Sequence, residues 1–213
     1  MARKNRRFLL RALSYVLPRG IAQYVDLGAG LPTSPAVHEI VRHHSARAAI
    51  CYVDNDPVVI SHLSALVGKG DDRIRNVPGD LTDPPAVLSA LQATGLIDWD
   101  QPVCLILAMV LHFLDAGKAR EVVAAYRSAL APGSYVVMSV ARGEERIGQQ
   151  ISQAYDAAPL YNHPPGDVAS FFAGLTLVLP GVVDARAWQP GWLRSPPFML
   201  RDGQVIAGVA TKP

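Results

Sequence analysis

Four short stretches combine carboxylates, glycines and a histidine at spacings that could hold a polar ligand. Asp26-Leu27-Gly28-Ala29-Gly30-Leu31-Pro32 joins an acid to a G-x-G turn. Two glycines let a backbone turn sharply and come close to a ligand. Thr33 stands where a dinucleotide fingerprint has its third glycine. A carboxylate at Asp26 suits an ammonium or a water-bridged polar group better than a pyrophosphate, which it would repel. Asp54 follows Gly30 by 24 residues. An acid at about that distance accepts the hydroxyls of a ribose, and Asp56, better placed to start a helix, leaves Asp54 free for that task. Gly79-Asp80-Leu81 offers a carboxylate to an exocyclic amine such as that of adenine, with Leu81 against the ring. Residues 108–112 end in His112, which could face a ligand, act as a base, or bond a backbone carbonyl. Asp26 and Asp80 also have the plainer use of closing turns.

These residues matter only if the chain brings them to one edge. Strand-like and helical segments alternate: strands at 21–27, 48–53, 74–77, 103–109 and 135–140, helices at 34–44 and 57–67, and helices from Pro84 and after Asp115. Asp56 with Pro57, Thr82 or Asp83 with Pro84, and Asp115 supply the starts. A helix near 144–157, a short one near 166–172, and two closing strands at 175–179 and 205–209 follow. The pattern predicts an open, doubly wound α/β sheet, whose ligands bind beyond the carboxyl ends of the strands. All four stretches end predicted strands. Phe8, Leu9, Ala12, Leu13 and Val16 recur at helical spacing and predict an amphipathic first helix. We read residues 1–213 as one domain: a basic helix over 1–19, a cofactor-binding core over 20–142, and a part over 143–213 that completes the sheet and supplies the acceptor side.

Composition narrows the class. Of 213 residues, 50% are hydrophobic and 18% charged, which excludes a disordered chain. The net charge of +2 divides into six basic side chains and no acid within residues 1–19, and a net of −4 over the rest. No aromatic stacking motif accompanies the basic helix, which argues against nucleic acid. Arg7 and Arg11 share a helix face, either solvated or turned to a ligand carboxylate. Cys51 and Cys104 sit in apolar runs with no metal or disulfide spacing, so we expect no metal and a cytoplasmic protein. No run is long and apolar enough to span a bilayer, and Arg11 and Pro18 break up any signal peptide. A homodimer would be ordinary for this size.

Acid plus G-x-G, an acid after the second strand and Gly-Asp after the third resemble the S-adenosylmethionine site of class I methyltransferases. The likeness narrows further. Asn5-Arg6-Arg7-Phe8-Leu9-Leu10-Arg11-Ala12, the stretch from Val25 to Thr33, Tyr52-Val53-Asp54-Asn55-Asp56-Pro57-Val58-Val59 and Gly79-Asp80-Leu81-Thr82-Asp83-Pro84 resemble a family of small bacterial S-adenosylmethionine-dependent methyltransferases whose acceptors are mostly unassigned. So do Leu111-His112-Phe113, Pro132-Gly133-Ser134-Tyr135, Phe171-Phe172 with Gly174-Leu175, Pro180-Gly181-Val182-Val183, and Gly208-Val209-Ala210. The resemblance implies a Rossmann-like, mostly parallel seven-stranded sheet with an antiparallel C-terminal strand. It implies that Asp26, Gly28 and Gly30 hold the methionine end of S-adenosylmethionine, Asp54 and Asn55 the ribose, and Asp80 and Leu81 the adenine. Ala29, Leu31 and Pro32, with Ala108, Met109 and His112, complete the expected cofactor contacts. Family members carry a further N-terminal segment with a Tyr- and Gly-rich motif, and this sequence begins almost at Asn5, as a short or truncated variant would.

Methyl transfer is an in-line displacement in which alignment does much of the work, and a base is needed only for an acceptor that keeps its proton. Candidate bases are His112, Tyr155, Tyr161 and His163. Trp188, Trp192 and Phe198 either line an aromatic acceptor pocket or belong to the core. The expected acceptor is a small molecule. The alternatives are a non-catalytic S-adenosylmethionine-binding module and an NAD(P)-dependent oxidoreductase, which Thr33 and Asp80 argue against.

Overall fold

The computed structural model describes residues 1–67, 70–142, 159–191 and 205–213. Helix α1 (Ala2–Val16) buries Phe8, Leu9, Ala12, Leu13 and Val16, the face its periodicity predicts. Then come β1 (Gln23–Leu27), α2 (Val37–His44), β2 (Ala49–Asp54), α3 (Pro57–Leu66), β3 (Ile74–Pro78), α4 (Pro84–Ala93) and β4 (Val103–Ala108). A 3-10 turn at Leu111–Phe113 leads to α5 (Ala116–Ala129) and β5 (Tyr135–Ala141). The described chain continues with α6 (Pro165–Ser170), β6 (Thr176–Leu177), β7 (Val183–Asp184) and β8 (Val205–Thr211). The predicted helix near 144–157 lies outside the described residues.

The starts of helices are set by side-chain caps. Asp56 accepts the Val58 N–H, Asp83 the Ala86 N–H and Asp115 the Lys118 N–H. Asp83 is therefore the cap of α4, rather than Thr82. α2 begins at Val37, three residues later than its sequence suggested. The Glu39 carboxylate reaches back to the Ala36 N–H at 2.5 Å, and Ala36 itself is extended.

One sheet collects the described strands in the order β3-β2-β1-β4-β5-β8-β6, with β7 also paired to β8. β1 to β5 are mutually parallel, and β8 runs antiparallel to β5. The sheet has eight strands where seven were expected, because the last edge is cut in two. Thr176 and Leu177 pair with Thr211 and Ala210, and Val183 and Asp184 pair with Ala207 and Ile206. Between them Pro180 and Gly181 turn the chain away: proline brings no N–H to the ladder, and Gly181 has φ +89°.

Alternate residues of the buried strands feed two cores. Tyr24, Ile50, Tyr52, Ile106 and Val137 pack beneath α1, α2 and α3, together with Trp188. Val25, Leu27, Val53, Leu105 and Leu107 pack with residues of α4, α5 and α6 on the other face. This period of two, with both faces covered, is why the strands read as unbroken apolar runs. Cys51 and Cys104 are buried on opposite faces as free thiols. Strand order reverses between β1 and β4, so the crevice at the carboxyl ends of these two strands is where a ligand belongs.

Candidate functional site

The first loop leaves β1 at Leu27. Gly28 and Gly30 adopt φ +68° and +65°, conformations that side chains resist. A Cβ on Gly28 would lie 2.5 Å from Val110 Cγ2, so that glycine is also required for room. The Gly28 and Ala29 N–H groups both donate to the Val53 carbonyl, at 2.9 and 3.1 Å. The Gly30 N–H donates to Asp54 Oδ2 at 2.9 Å. Three consecutive amides are thus spent inside the protein, whereas a pyrophosphate loop aims its amides at the ligand.

Two cavities meet at this loop. One, of about 480 Å³, is lined by Asp26, Gly28–Thr33, Tyr52, Ala108 and Met109, with Asn5, Arg6 and Leu9 of α1 among its other walls. The second, of about 620 Å³, is lined by Asp54, Asn55, Asp56, Val59, Gly79, Asp80, Leu81, Thr82, Val110, Phe113 and Leu114. Gly28, Gly30 and Met109 border both. Met109 is the sole non-glycine with positive φ, 61°, among the described residues. Its N–H bonds the Ser139 carbonyl of β5 at 2.8 Å. A strained residue at the boundary of two cavities is a common mark of a functional site.

The carboxylates differ in their surroundings. Asp26 is 8% exposed and accepts no hydrogen bond from the described residues. Burial pushes its carboxyl up to about 7, with Arg6 pulling it down and Asp54 adding a smaller push upward. Asp54 is also buried and is well supplied: Oδ1 accepts the Asp56 N–H at 3.0 Å, Oδ2 the Gly30 N–H. Each oxygen keeps a lone pair for a further donor. Asp80 Oδ1 accepts both the N–H and the hydroxyl of Thr82, at 2.8 Å each. Tyr126 bonds the Leu81 carbonyl at 3.1 Å and fixes that turn.

The structure therefore brings Asp26, Gly28, Ala29, Gly30, Leu31, Pro32, Ala108 and Met109 to one cavity, and Asp54, Asn55, Asp80 and Leu81 to its neighbour. His112 is not among the residues lining either. It is buried beside them, its ring 4.4 Å from that of Phe113, and its Nδ1 has no partner among the described residues. Burial, and then His163, hold its pKa down at about 4. Tyr161 donates its N–H to the His112 carbonyl at 2.8 Å, and His163 Nε2 bonds the Leu111 carbonyl at 3.2 Å. These three candidates form one cluster behind the second cavity; Tyr155 lies outside the described residues.

Sequence reasoning missed several walls. Phe113 is exposed beside Leu81 in the second cavity, and Tyr52 closes the first. Tyr52 Oη accepts the His38 N–H and meets His38 Nδ1, both at 2.9 Å. The arginine that reaches the cavity is Arg6, not Arg7 or Arg11. The Arg11 guanidinium bonds the Trp188 and Ala185 carbonyls, and Arg7 is exposed. Trp188 is fully buried with its ring edge-on to Phe8 at 5.4 Å, so it belongs to the core. Trp192 and Phe198 lie outside the described residues. No group of His, Cys, Asp and Glu among the described residues could hold a metal ion. No described helix is long and apolar enough to cross a membrane.

A family model described as S-adenosyl methyltransferase matches residues 1–213. The chain belongs to this S-adenosyl methyltransferase family. A candidate methyltransferase from Thermobifida fusca YX is 32% identical, with a TM-score of 0.87 over 99% of this chain and 81% of that one. A DUF574 family protein from Streptomyces avermitilis MA-4680 is 31% identical, with a TM-score of 0.85 over 99% and 83%. N-methyltransferase NodS from Bradyrhizobium japonicum WM9, in complex with S-adenosyl-l-homocysteine, shares the fold. Its TM-score is 0.59 at 14% identity, over 100% of this chain and 87% of NodS. Among curated proteins no relative matches. As a member of this methyltransferase family the chain is an S-adenosylmethionine-dependent enzyme, and the nicotinamide alternative is set aside. The residues at the crevice fit the cofactor: a buried acid that accepts no hydrogen bond from the described residues could take its ammonium, a supported acid with spare lone pairs could take its ribose, and the loop amides are not offered to phosphate.

Proposed function

We propose that this methyltransferase holds S-adenosylmethionine across the two joined cavities and methylates a small-molecule acceptor. The observation that carries the reading is the order of the acids. Asp80, Asp54 and Asp26 follow one another along the carboxyl edge of β3, β2 and β1, in the sequence adenine amine, ribose hydroxyls, ammonium. Leu81 and Phe113 would flank the adenine, and Asn55 would join Asp54 at the ribose. Gly28 leaves room for the ligand's middle where a side chain would collide with Val110. When bound, the cofactor supplies an electrophilic methyl group on a sulfonium.

The protein's task is then to align an acceptor and keep water out, and alignment alone supplies much of the acceleration. The excess of basic residues is confined to residues 1–19, with an acidic body behind it and no aromatic stacking motif beside it. This favours a small acceptor over a nucleic acid. For an acceptor that keeps its proton, His112, its pKa held down at about 4, offers a neutral ring whose Nδ1 has no partner among the described residues, and Tyr161 and His163 stand beside it. Buried, unpaired thiols at Cys51 and Cys104 suit the cytoplasm. The test is transfer of labelled methyl from S-adenosylmethionine to a panel of amine, phenol and carboxylic acid acceptors. Label in the low-molecular-weight fraction is expected. No transfer to any of them by protein that binds the cofactor product would support a non-catalytic module instead.

A further inference from the structure

Residues 108–114 carry walls of both cavities: Ala108 and Met109 the first, and Met109, Val110, Phe113 and Leu114 the second. The stretch is tied to β5 at its start, where the Met109 N–H meets the Ser139 carbonyl. Beyond Met109, the backbone bonds that reach it from a distant part of the described chain come from one irregular segment, 159–163. The Tyr161 N–H donates to the His112 carbonyl at 2.8 Å, and His163 Nε2 bonds the Leu111 carbonyl at 3.2 Å. We propose that this segment is a strap in which His163 is a positioning residue, setting Phe113 and Leu114 against the adenosine end of the cofactor, and that the strap opens when His112 takes up a proton. The proposal rests on S-adenosylmethionine lying across the two cavities.

The strap is rooted at its far end. His163 is buried, its ring edge-on to that of Phe171 at 5.2 Å, and α6 begins two residues later at Pro165. A carbonyl only accepts, so the Nε2 that meets Leu111 carries the ring proton. This donor acts on a 3-10 turn whose own bonds run from the Phe113 N–H to Val110 and from the Leu114 N–H to Leu111. Such turns have poorer hydrogen-bond geometry than an α-helix, so ties from outside decide where the side chains that follow them sit.

The strap closes on a base with nowhere to put a charge. His112 is buried, and its Nδ1 has no partner among the described residues. His163 is the group whose charge bears on the ring, and its influence opposes protonation. No acid among the described residues offsets this. Asp115 accepts the Lys118 N–H, and Asp167 of α6 stands 3.9 Å from Arg120 of α5. Tyr161, the other titratable group of the strap, is exposed. Burial and then His163 hold the His112 pKa at about 4, against an ordinary 6.5. With the strap open, the ring meets water and takes its proton at the higher value. The open form therefore binds more protons between these two values, and acid shifts the balance toward it.

The test is hydrogen exchange at the Tyr161 amide of the full chain between pH 8 and pH 5, corrected for the intrinsic rate, beside calorimetric titration with 5′-methylthioadenosine. That ligand has the adenosine end but no ammonium for Asp26, whose own titration is thus kept out of the readout. In wild type, protection should fall on the order of tenfold from pH 7 to pH 5, and affinity for 5′-methylthioadenosine should fall with it. His112→Phe and His112→Asn, which cannot take the proton, should both flatten the exchange profile. His163→Phe keeps a ring against Phe171 and removes the donor, and should weaken 5′-methylthioadenosine about fivefold at pH 8. His163→Gln restores an N–H donor and should recover part of that loss. A wild-type profile that does not change with pH, or one that persists in both His112 variants, would overturn the acid-opened strap. Protection that falls while 5′-methylthioadenosine binding stays constant would overturn the positioning role. Failure of wild type to bind either 5′-methylthioadenosine or S-adenosylhomocysteine at pH 8 would overturn the cofactor placement and the positioning role with it, and the exchange profile would still judge the strap.

Discussion

Asp26 is a carboxylate kept at the end of a fully buried strand with no hydrogen bond from the described residues, and this has a stability consequence. Its ordinary pKa is 3.8, and in the folded protein it is pushed up to about 7 by burial. The folded state therefore binds the extra proton between these values while the unfolded state does not, and stability falls as pH rises through that window. Asp26→Asn removes the charge at nearly constant shape. In thermal or urea unfolding the variant should match wild type near pH 4. By pH 8 it should be more stable, on the order of 1–4 kcal/mol, the upper figure being the full shift of about three pKa units. It should also lose affinity for S-adenosylhomocysteine, because the ammonium has lost its anion. Equal stability curves across this range would show that Asp26 is not held at that cost for a ligand. The acids and glycines of the site were legible because their chemistry is local: each ends a strand, and strand ends in such a sheet converge. Arg6 was not. Neighbouring helical residues point about 100° apart, and choosing among Arg6, Arg7 and Arg11 requires the packing of Phe8 and Leu9 as well as the carbonyls of Ala185 and Trp188.

Helix α1 is a structural wall and a functional one at once. Phe8 is fully buried and meets Trp188 edge-on, as Tyr15 does at 6.2 Å. Phe8→Ala should cost about 3–5 kcal/mol, the range for deleting a buried aromatic ring, while exposed Arg7→Ala should stay within about 0.5 kcal/mol of wild type. Urea denaturation of the two variants checks this, and a small loss at Phe8 would mean that α1 is not docked as described. The helix was readable from its 3.6-residue period; its position over the first loop was not, since nothing local encodes that Asn5 meets Ser139 of β5. The strands tell the same story. β1 to β5 are long, apolar and bounded by turn residues, so their existence was plain. The last edge was read as a single strand because 175–179 is apolar, and the interruption by Pro180 and Gly181 splits the pairing with β8 in two.

At the scale of the whole molecule, the net charge of +2 hides an arrangement. A basic helix packs on one face of an acidic body and brings its N-terminal end to the carboxyl edge, where Arg6 lines the same cavity as Asp26, and Asp54 and Asp80 follow along the edge. Strand order puts the reversal between β1 and β4, and the two cavities meet at that reversal, at Gly28, Gly30 and Met109. An adenine-bearing zwitterion with a cationic centre fits this distribution, whereas a dinucleotide would bring its pyrophosphate to a loop whose amides are already bonded. The central claim is that this edge is an S-adenosylmethionine site. Calorimetric titration of the wild-type chain with S-adenosylhomocysteine and, separately, with NAD and NADP tests it most directly. The account predicts saturable binding of S-adenosylhomocysteine at one molecule per chain and no measurable binding of either dinucleotide. Binding of NAD or NADP with none of S-adenosylhomocysteine would contradict it.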